Sequence, residues 1–309
     1  MKVRKVLYWI CVMIYIAGVI VFAWPDLHRL KTDAESRQTI QTFESGRKDT
    51  KSEVQSDTSE KEREVSDELY RKMKEYNARI FENGQSDLRD PWSMEQEVLD
   101  LESYGVTDGM IGVISIPRMG VQLPIYLGAR EENMSRGAVL LGQTSFPIDG
   151  ENINSVIAAH RGWKGSAMFR DIESMEIGDQ VTGQNPWETL TYQVTDIKVI
   201  MPDDIGQVLI QKGKNMVTLV TCHPYTGNSR RYVVYCEKAD AETAEGSESD
   251  TEKKAEQVRR QAQSEDQEQL KQDTFLRKAG YAVIAAMGIL VIFSGGGRKR
   301  RAEMDDVDF

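Results

Sequence analysis

The centre of this chain reads as an all-β domain, a closed barrel or sandwich, set between helical and polar segments with an apolar run near each end. Three observations predict it. Between Met110 and Lys238 short β-rich runs alternate with turn residues. Roughly eight such runs fall within about 130 residues, the density of a barrel or sandwich. The helical insertions between them are too few for a doubly wound parallel sheet.

The strands read as Ile111 to Ile116, Val121 to Tyr126, Ala138 to Leu141, Ser155 to Ala159, Gln180 to Gly183, Leu190 to Ile200, Met216 to Thr221 and Arg231 to Cys236. Gly120, Pro124, Gly150, Gly178 and Pro202-Asp203-Asp204 punctuate them. Met168, Phe169, Ile172 and Met175 recur at helical spacing, which predicts one short helix over Ala167 to Met175.

At 309 residues the chain accommodates one ordinary domain with sizeable extensions. Its 40% hydrophobic content excludes wholesale disorder. A net charge of −10 argues against a nucleic-acid partner, which requires clustered positive charge.

Val6 to Trp24 contains no charged residue, and roughly 20 apolar residues cross a hydrocarbon core. Tyr8, Trp9 and Trp24 lie near its ends, where aromatic rings favour the interface. Lys2, Arg4 and Lys5 would also suit a cleaved signal peptide. The length of the run and the lack of a small-x-small cleavage site favour an uncleaved anchor. A second apolar run, Ala279 to Ser294, precedes Arg298, Lys299, Arg300 and Arg301. That basic cluster prefers the cytoplasm. The expectation is therefore a cell-membrane protein with two spans in contact with lipid, both termini cytoplasmic, and residues from about 25 to 278 outside.

Residues 31–58 are polar and read as a tether, because too little apolar surface is present to offset ordering entropy. Ser59 with Glu62 resembles a capping box, and Val65, Leu69, Met73, Tyr76 and Ile80 follow on one helical face up to Asn83-Gly84. A shorter helix is expected after Ser93. The expected organisation is an anchor over 1–30, the tether over 31–58, a helical extension over 59–109 and the β domain over 110–238. A charged stalk follows over 239–276, to whose charges no chemistry attaches, and then a second span with a basic tail over 277–309.

Of three cysteines, Cys11 lies in the first apolar run. Cys222 and Cys236 lie outside the cytoplasm in this reading, where a disulfide is the default. If the strands ending at Thr221 and starting at Arg231 form a hairpin, Cys222 lies opposite Arg231 and Cys236 roughly 16 Å further along. A disulfide needs Cα atoms within about 7 Å. The pair is therefore expected to stay unbridged.

An unpaired thiol attacks acyl groups as thiolate, usually with histidine help. His28 adjoins the first apolar run, and His223 directly follows Cys222, which turns it away from the thiol's face. His160 closes the strand Ser155 to Ala159 and is the candidate partner. Acyl transfer also needs a donor for the developing oxyanion. Of Arg230 and Arg231 only one can share the thiol's face, and Arg231 is its neighbour across the hairpin.

Thr218-Leu219-Val220-Thr221-Cys222, followed by Pro224-Tyr225 and Arg231, resembles the signature of sortases. His160 in Ala-Ala-His-Arg-Gly-Trp resembles the family's histidine motif. The resemblance runs from about Met110 to Glu237 and implies an eight-stranded sortase-type β-barrel and a transpeptidase without cofactor or metal. It makes Cys222 the nucleophile, His160 the general acid/base and Arg231 the stabiliser of carbonyl and oxyanion. Asp90-Pro91-Trp92 resembles the lid of class C, pilin-polymerising sortases, in which the aspartate pairs with the arginine and the ring covers the thiol. An additional C-terminal span also resembles that class. The implied substrates are pilins or surface proteins bearing an LPxTG-like sorting signal. The implied acceptor is a pilin lysine or, for an anchoring sortase, a cell-wall precursor amine. His223 departs from the small residue common beside the family's cysteine. A membrane-tethered binding scaffold without activity is the alternative from another class, and the intact trio argues against it.

Overall fold

Every β-rich run forms a strand in the computed structural model, which describes residues 2–52, 57–86, 88, 99–162, 166–239 and 250–304. The strands are β1 (Met110–Ile116), β2 (Val121–Leu127), β3 (Ala138–Leu140), β4 (Ile153–Ala158), β5 (Gln180–Gln184), β6 (Thr189–Ile200), β7 (Asn215–His223) and β8 (Arg230–Lys238). They close into a barrel in the order β1-β2-β3-β4-β7-β8-β6-β5. Two pairs, β2 with β3 and β4 with β7, are parallel; the other pairs are antiparallel. Closure decides between the barrel and the sandwich, and it leaves no open sheet edge.

Alternation along the strands separates two apolar sets. Ile114, Ile125, Leu140, Ile157, Val181, Tyr192, Leu219 and Val234, one from each strand, belong to a single buried cluster that fills the barrel. Val113, Tyr126, Val139, Val156, Ala158, Val220 and Val233 form a second cluster on the outer face. Where β1 meets β5, Gly112 is required: a Cβ there would collide with the Gln184 carbonyl.

Among the described residues the α-helices are α1 (Lys2–Ser52), α2 (Asp57–Glu82), α3 (Glu131–Arg136) and α4 (Asp250–Met304). Leu69, Met73, Tyr76 and Ile80, the predicted stripe of α2, join the inner cluster. The helix ends where expected, with Gly84 at φ 63° and the Gln85 N–H returning to the Ile80 carbonyl at 2.8 Å.

The helix expected over Ala167 to Met175 is instead a series of turns with one 3-10 segment, Ile172–Ser174. Met168, Phe169, Ile172 and Met175 are nonetheless fully buried, so the apolar spacing reported burial rather than helix. The helix expected after Ser93 falls mostly outside the described residues; within them lies a 3-10 turn, Glu102–Tyr104.

Residues 31–52, expected as a tether, continue α1 as helix. Ile40 is buried and Phe43 packs against the outer cluster, while Arg47 donates to Thr189 at 2.6 Å. Two apolar side chains three residues apart are too weak a periodic signal to read alone, yet a barrel face suffices to dock them. Residues 250–266 of the expected stalk are likewise helical, with Ala255, Ala262 and Asp266 buried.

Met1–Arg29 with Gln267–Phe309 make one compact unit and Leu30–Asp266 another. In the first, the Tyr15 hydroxyl donates to the Ile284 carbonyl at 2.9 Å. Phe22 meets Tyr281 edge-on at 5.0 Å, and Asp26 contacts Arg277 and Tyr281. Gly288 faces Tyr15, where a Cβ would stand 2.6 Å from the hydroxyl; small residues permit such close helix approach. Among the described residues, one helix over Tyr8–Arg47 is long and apolar enough to cross a membrane. Val21 there is 74% exposed, consistent with membrane anchoring by this helix; Leu290 of α4 is 69% exposed.

Candidate active site

Strand register sets where the candidate residues stand. In the parallel pair β4–β7, Ala158 lies beside Val220. Cys222 comes two residues further along β7, on the same face as Val220 because side chains alternate, and His160 comes two residues past Ala158, just beyond the end of β4. The Ala159 N–H donates to the Val220 carbonyl at 3.2 Å, and the Thr221 hydroxyl donates to the Ala159 carbonyl at 2.7 Å. These bonds tie the two strand ends together one residue before each candidate. In the antiparallel pair β7–β8, Cys222 lies opposite Arg231, the register the hairpin argument required. Val220 and Val233 belong to the outer cluster, so Cys222 and Arg231 share the outer face of β7 and β8, and His160 follows the end of β4, the strand paired with β7 on its other side.

Cys222 is a half-buried free thiol. Cys236 lies opposite Val217 on the inner face, also free and fully buried, and burial pushes its thiol up, away from reactivity. Cys11 is free as well.

Burial holds the His160 imidazole below its ordinary range, opposed in part by the charge of Glu131. Burial thus favours the neutral ring over the imidazolium. The Arg231 guanidinium is steadied by the β7–β8 loop: Nη1 donates to the Asn228 carbonyl at 2.8 Å and to the Arg230 carbonyl at 3.0 Å.

His223 turns to the opposite face, as expected, and is buried there. It meets Arg161, Glu173, Glu265 and Asp266, of which the sequence argument singled out none for chemistry. Arg161 stood in the quoted histidine motif; Asp266 stood in a charged stretch without apolar contrast, and no local signal marks it. The expected lid residues Asp90 and Trp92 lie outside the described residues.

A free thiol opposite a guanidinium on the outer face of a closed eight-stranded barrel, with an imidazole just past the end of the adjoining strand, is a set of groups of the kind acyl transfer uses. A family model described as the sortase domain matches residues 114–239. Over 125 residues the chain is 33% identical to a sortase A of Bacillus anthracis, covering 40% of this chain and 58% of that protein. It is 29% identical over 127 residues to sortase D of Bacillus subtilis (strain 168), covering 40% and 61%. The matched stretch thus spans less than two thirds of those relatives. Among solved structures, sortase C1 of GBS pilus island 1 superposes with TM-score 0.55 at 30% identity, covering 71% of this chain and 98% of that one. The sortase C of Streptococcus pneumoniae gives 0.55 at 30%, covering 66% and 97%. The chain belongs to the sortase family, and its structural neighbours are class C sortases.

Proposed function

We propose that this protein is a membrane-anchored cysteine transpeptidase that cleaves an LPxTG-like sorting signal and transfers it to a pilin lysine. The observation that carries the reading is the register that sets Cys222 opposite Arg231, supported by His160 standing two residues past the Ala158–Val220 pair of the neighbouring strands. The Cys222 sulfur adds to the threonine carbonyl carbon, and the neutral His160 ring takes the thiol proton. Arg231 donates to the oxygen as its charge grows. The C–N bond to glycine breaks, His160 returns the proton to the leaving amine, and a thioester remains. A lysine amine then attacks that carbonyl, an isopeptide bond forms, and the thiol is regenerated.

Pilin as substrate is supported by the neighbours, which include a pilus-related sortase C of Group B Streptococcus. We place the barrel outside the cytoplasm, held by two spans with both termini inside, on the strength of the basic residues after the second apolar run. Asp90 and Trp92 are assigned as a lid over the thiol.

The test offers the full chain a sorting-signal peptide together with either a pilin lysine donor or a wall-peptide amine. Ladders of covalent oligomers from the lysine donor, absent with Cys222→Ala, are the expected result. Exclusive use of the wall amine would reassign the protein to surface anchoring. No thioacyl species in the intact chain would leave only a binding scaffold.

A further inference from the structure

Behind the face that carries Cys222 lies a second cluster that the acyl-exchange scheme does not use. Arg161 directly follows His160, and His223 directly follows Cys222. Alternation therefore sends both to the opposite side of the strands. There they meet Asp266 of α4, whose side chain is 1% exposed. Its Oδ2 accepts from Arg161 Nη2 at 2.6 Å and its Oδ1 from the Tyr225 N–H at 2.8 Å. Asp266 Oδ2 also lies 3.5 Å from His223 Nδ1.

Arg161 Nη1 reaches two ways, donating to the Cys222 carbonyl at 3.0 Å and lying 3.2 Å from His223 Nδ1. Glu173 completes the ion pairing of Arg161, and the Tyr232 ring lies 5.8 Å from the guanidinium. At the rim, Glu265 holds Arg230 at 2.6 Å and stands 3.3 Å from His223 Nε2.

Glu173, His223 and Asp266 have the spacing of metal ligands. The Arg161 guanidinium, ion-paired to both carboxylates, supplies the positive charge a metal would bring. The network therefore meets the reacting strand at two successive residues, through the main-chain carbonyl of Cys222 and the side chain of His223.

A buried charge network is seldom a net source of stability, because desolvation offsets the pairing. What it does impose is geometry. We propose that Asp266 is a positioning residue of the active site: through Arg161 and His223 it locks the main chain at Cys222 and just beyond His160. The helical segment after the barrel is then a strut of the catalytic rim. This rests on the transpeptidase reading given above.

The experiment uses the full-length chain in detergent micelles, comparing Asp266→Asn, Asp266→Glu and Asp266→Ala with wild type. Glu256→Gln, which alters a carboxylate of the same helix that pairs with Arg259 and Arg260, is the control. Two readouts are taken: turnover of a sorting-signal peptide with a lysine acceptor, and the pH profile of iodoacetamide alkylation at Cys222 read by mass spectrometry. Asp266→Asn is expected to lower kcat about tenfold while KM stays within about twofold, since small misplacements of reacting groups cost that much or more. It should also shift the alkylation profile; Asp266→Glu should recover part of both, and Glu256→Gln should change neither.

A folded Asp266→Asn chain with wild-type kcat and an unchanged alkylation profile overturns the proposal. So does a fall in kcat that merely tracks a fall in melting temperature with the profile unmoved. If Asp266→Ala does not fold, the near-isosteric Asp266→Asn decides. If wild type processes no peptide at all, the transpeptidase reading fails, and the alkylation profile alone still decides the role of Asp266.

Discussion

Asn77 clamps the helical extension onto the barrel, and its replacement gives a sharp test of what holds that extension. Its Nδ2 donates to the Phe146 carbonyl at 3.0 Å, and its Oδ1 accepts from the Phe146 N–H at 2.8 Å. Phe146 is fully buried, so water cannot replace either bond. The two losses in Asn77→Ala are unequal. The Phe146 carbonyl keeps the Ile148 N–H at 2.9 Å and forfeits only a second bond, about 0.5–1.5 kcal/mol. The Phe146 N–H loses its Asn77 acceptor and becomes a buried orphan, costing about 1–3 kcal/mol. The sum is about 1.5–4.5 kcal/mol, or about 3–18 °C of melting temperature at about 2–4 °C per kcal/mol. Thermal unfolding of the full chain in micelles measures the sum, and hydrogen exchange at the Phe146 amide localises it. Asn77→Leu separates the causes, since it refills the volume without restoring either bond. If leucine brings stability back to within about 0.5 kcal/mol of wild type, packing rather than hydrogen bonding holds the joint and the reasoning is refuted.

Replacing Asp90 and Trp92 together with alanine should speed alkylation of Cys222 by a thiol reagent; an unchanged rate would make the tripeptide a turn and no lid. Arg231→Lys should lower kcat by about 10²–10³-fold. An ammonium has three donors, and matching the two carbonyl bonds of Nη1 leaves one for the substrate. Activity close to wild type would remove Arg231 from the oxyanion site. Burial alone would raise the Asp266 carboxyl, but His223, the Tyr225 N–H and Arg161 together hold it below the usual carboxylate range. A lowered folded pKa gives stability that is present above the unfolded value, near 3.9, and is lost as pH falls through the folded one. The stability gap between wild type and Asp266→Asn in urea titrations should therefore be level from about pH 5 to 8 and shrink below about pH 4. A gap that persists undiminished in acid would show that the ionised carboxylate is not its source.

The sequence by itself determined the pieces whose signals are local. Period-two runs and turn residues marked all eight strands to within a few residues. The hairpin count placed Cys222 opposite Arg231 and kept Cys236 out of disulfide reach, because both follow from a short connection and a fixed rise per residue. The stripe Leu69, Met73, Tyr76 and Ile80 marked α2 for the same reason. Tertiary structure decided what depends on distant segments. The parallel β4–β7 register, which sets Ala158 beside Val220 two residues short of His160 and Cys222, joins strands with no hairpin between them, and nothing within either strand specifies that pairing. Docking of α1 through Ile40 and Phe43, and of α4 through Ala255 and Ala262, rests on a barrel surface that exists only after the strands close. The partnership of Arg161 with Asp266 spans 105 positions. A charged residue in a charged stretch carries no periodic mark, so it shows its role only when folding takes it out of water.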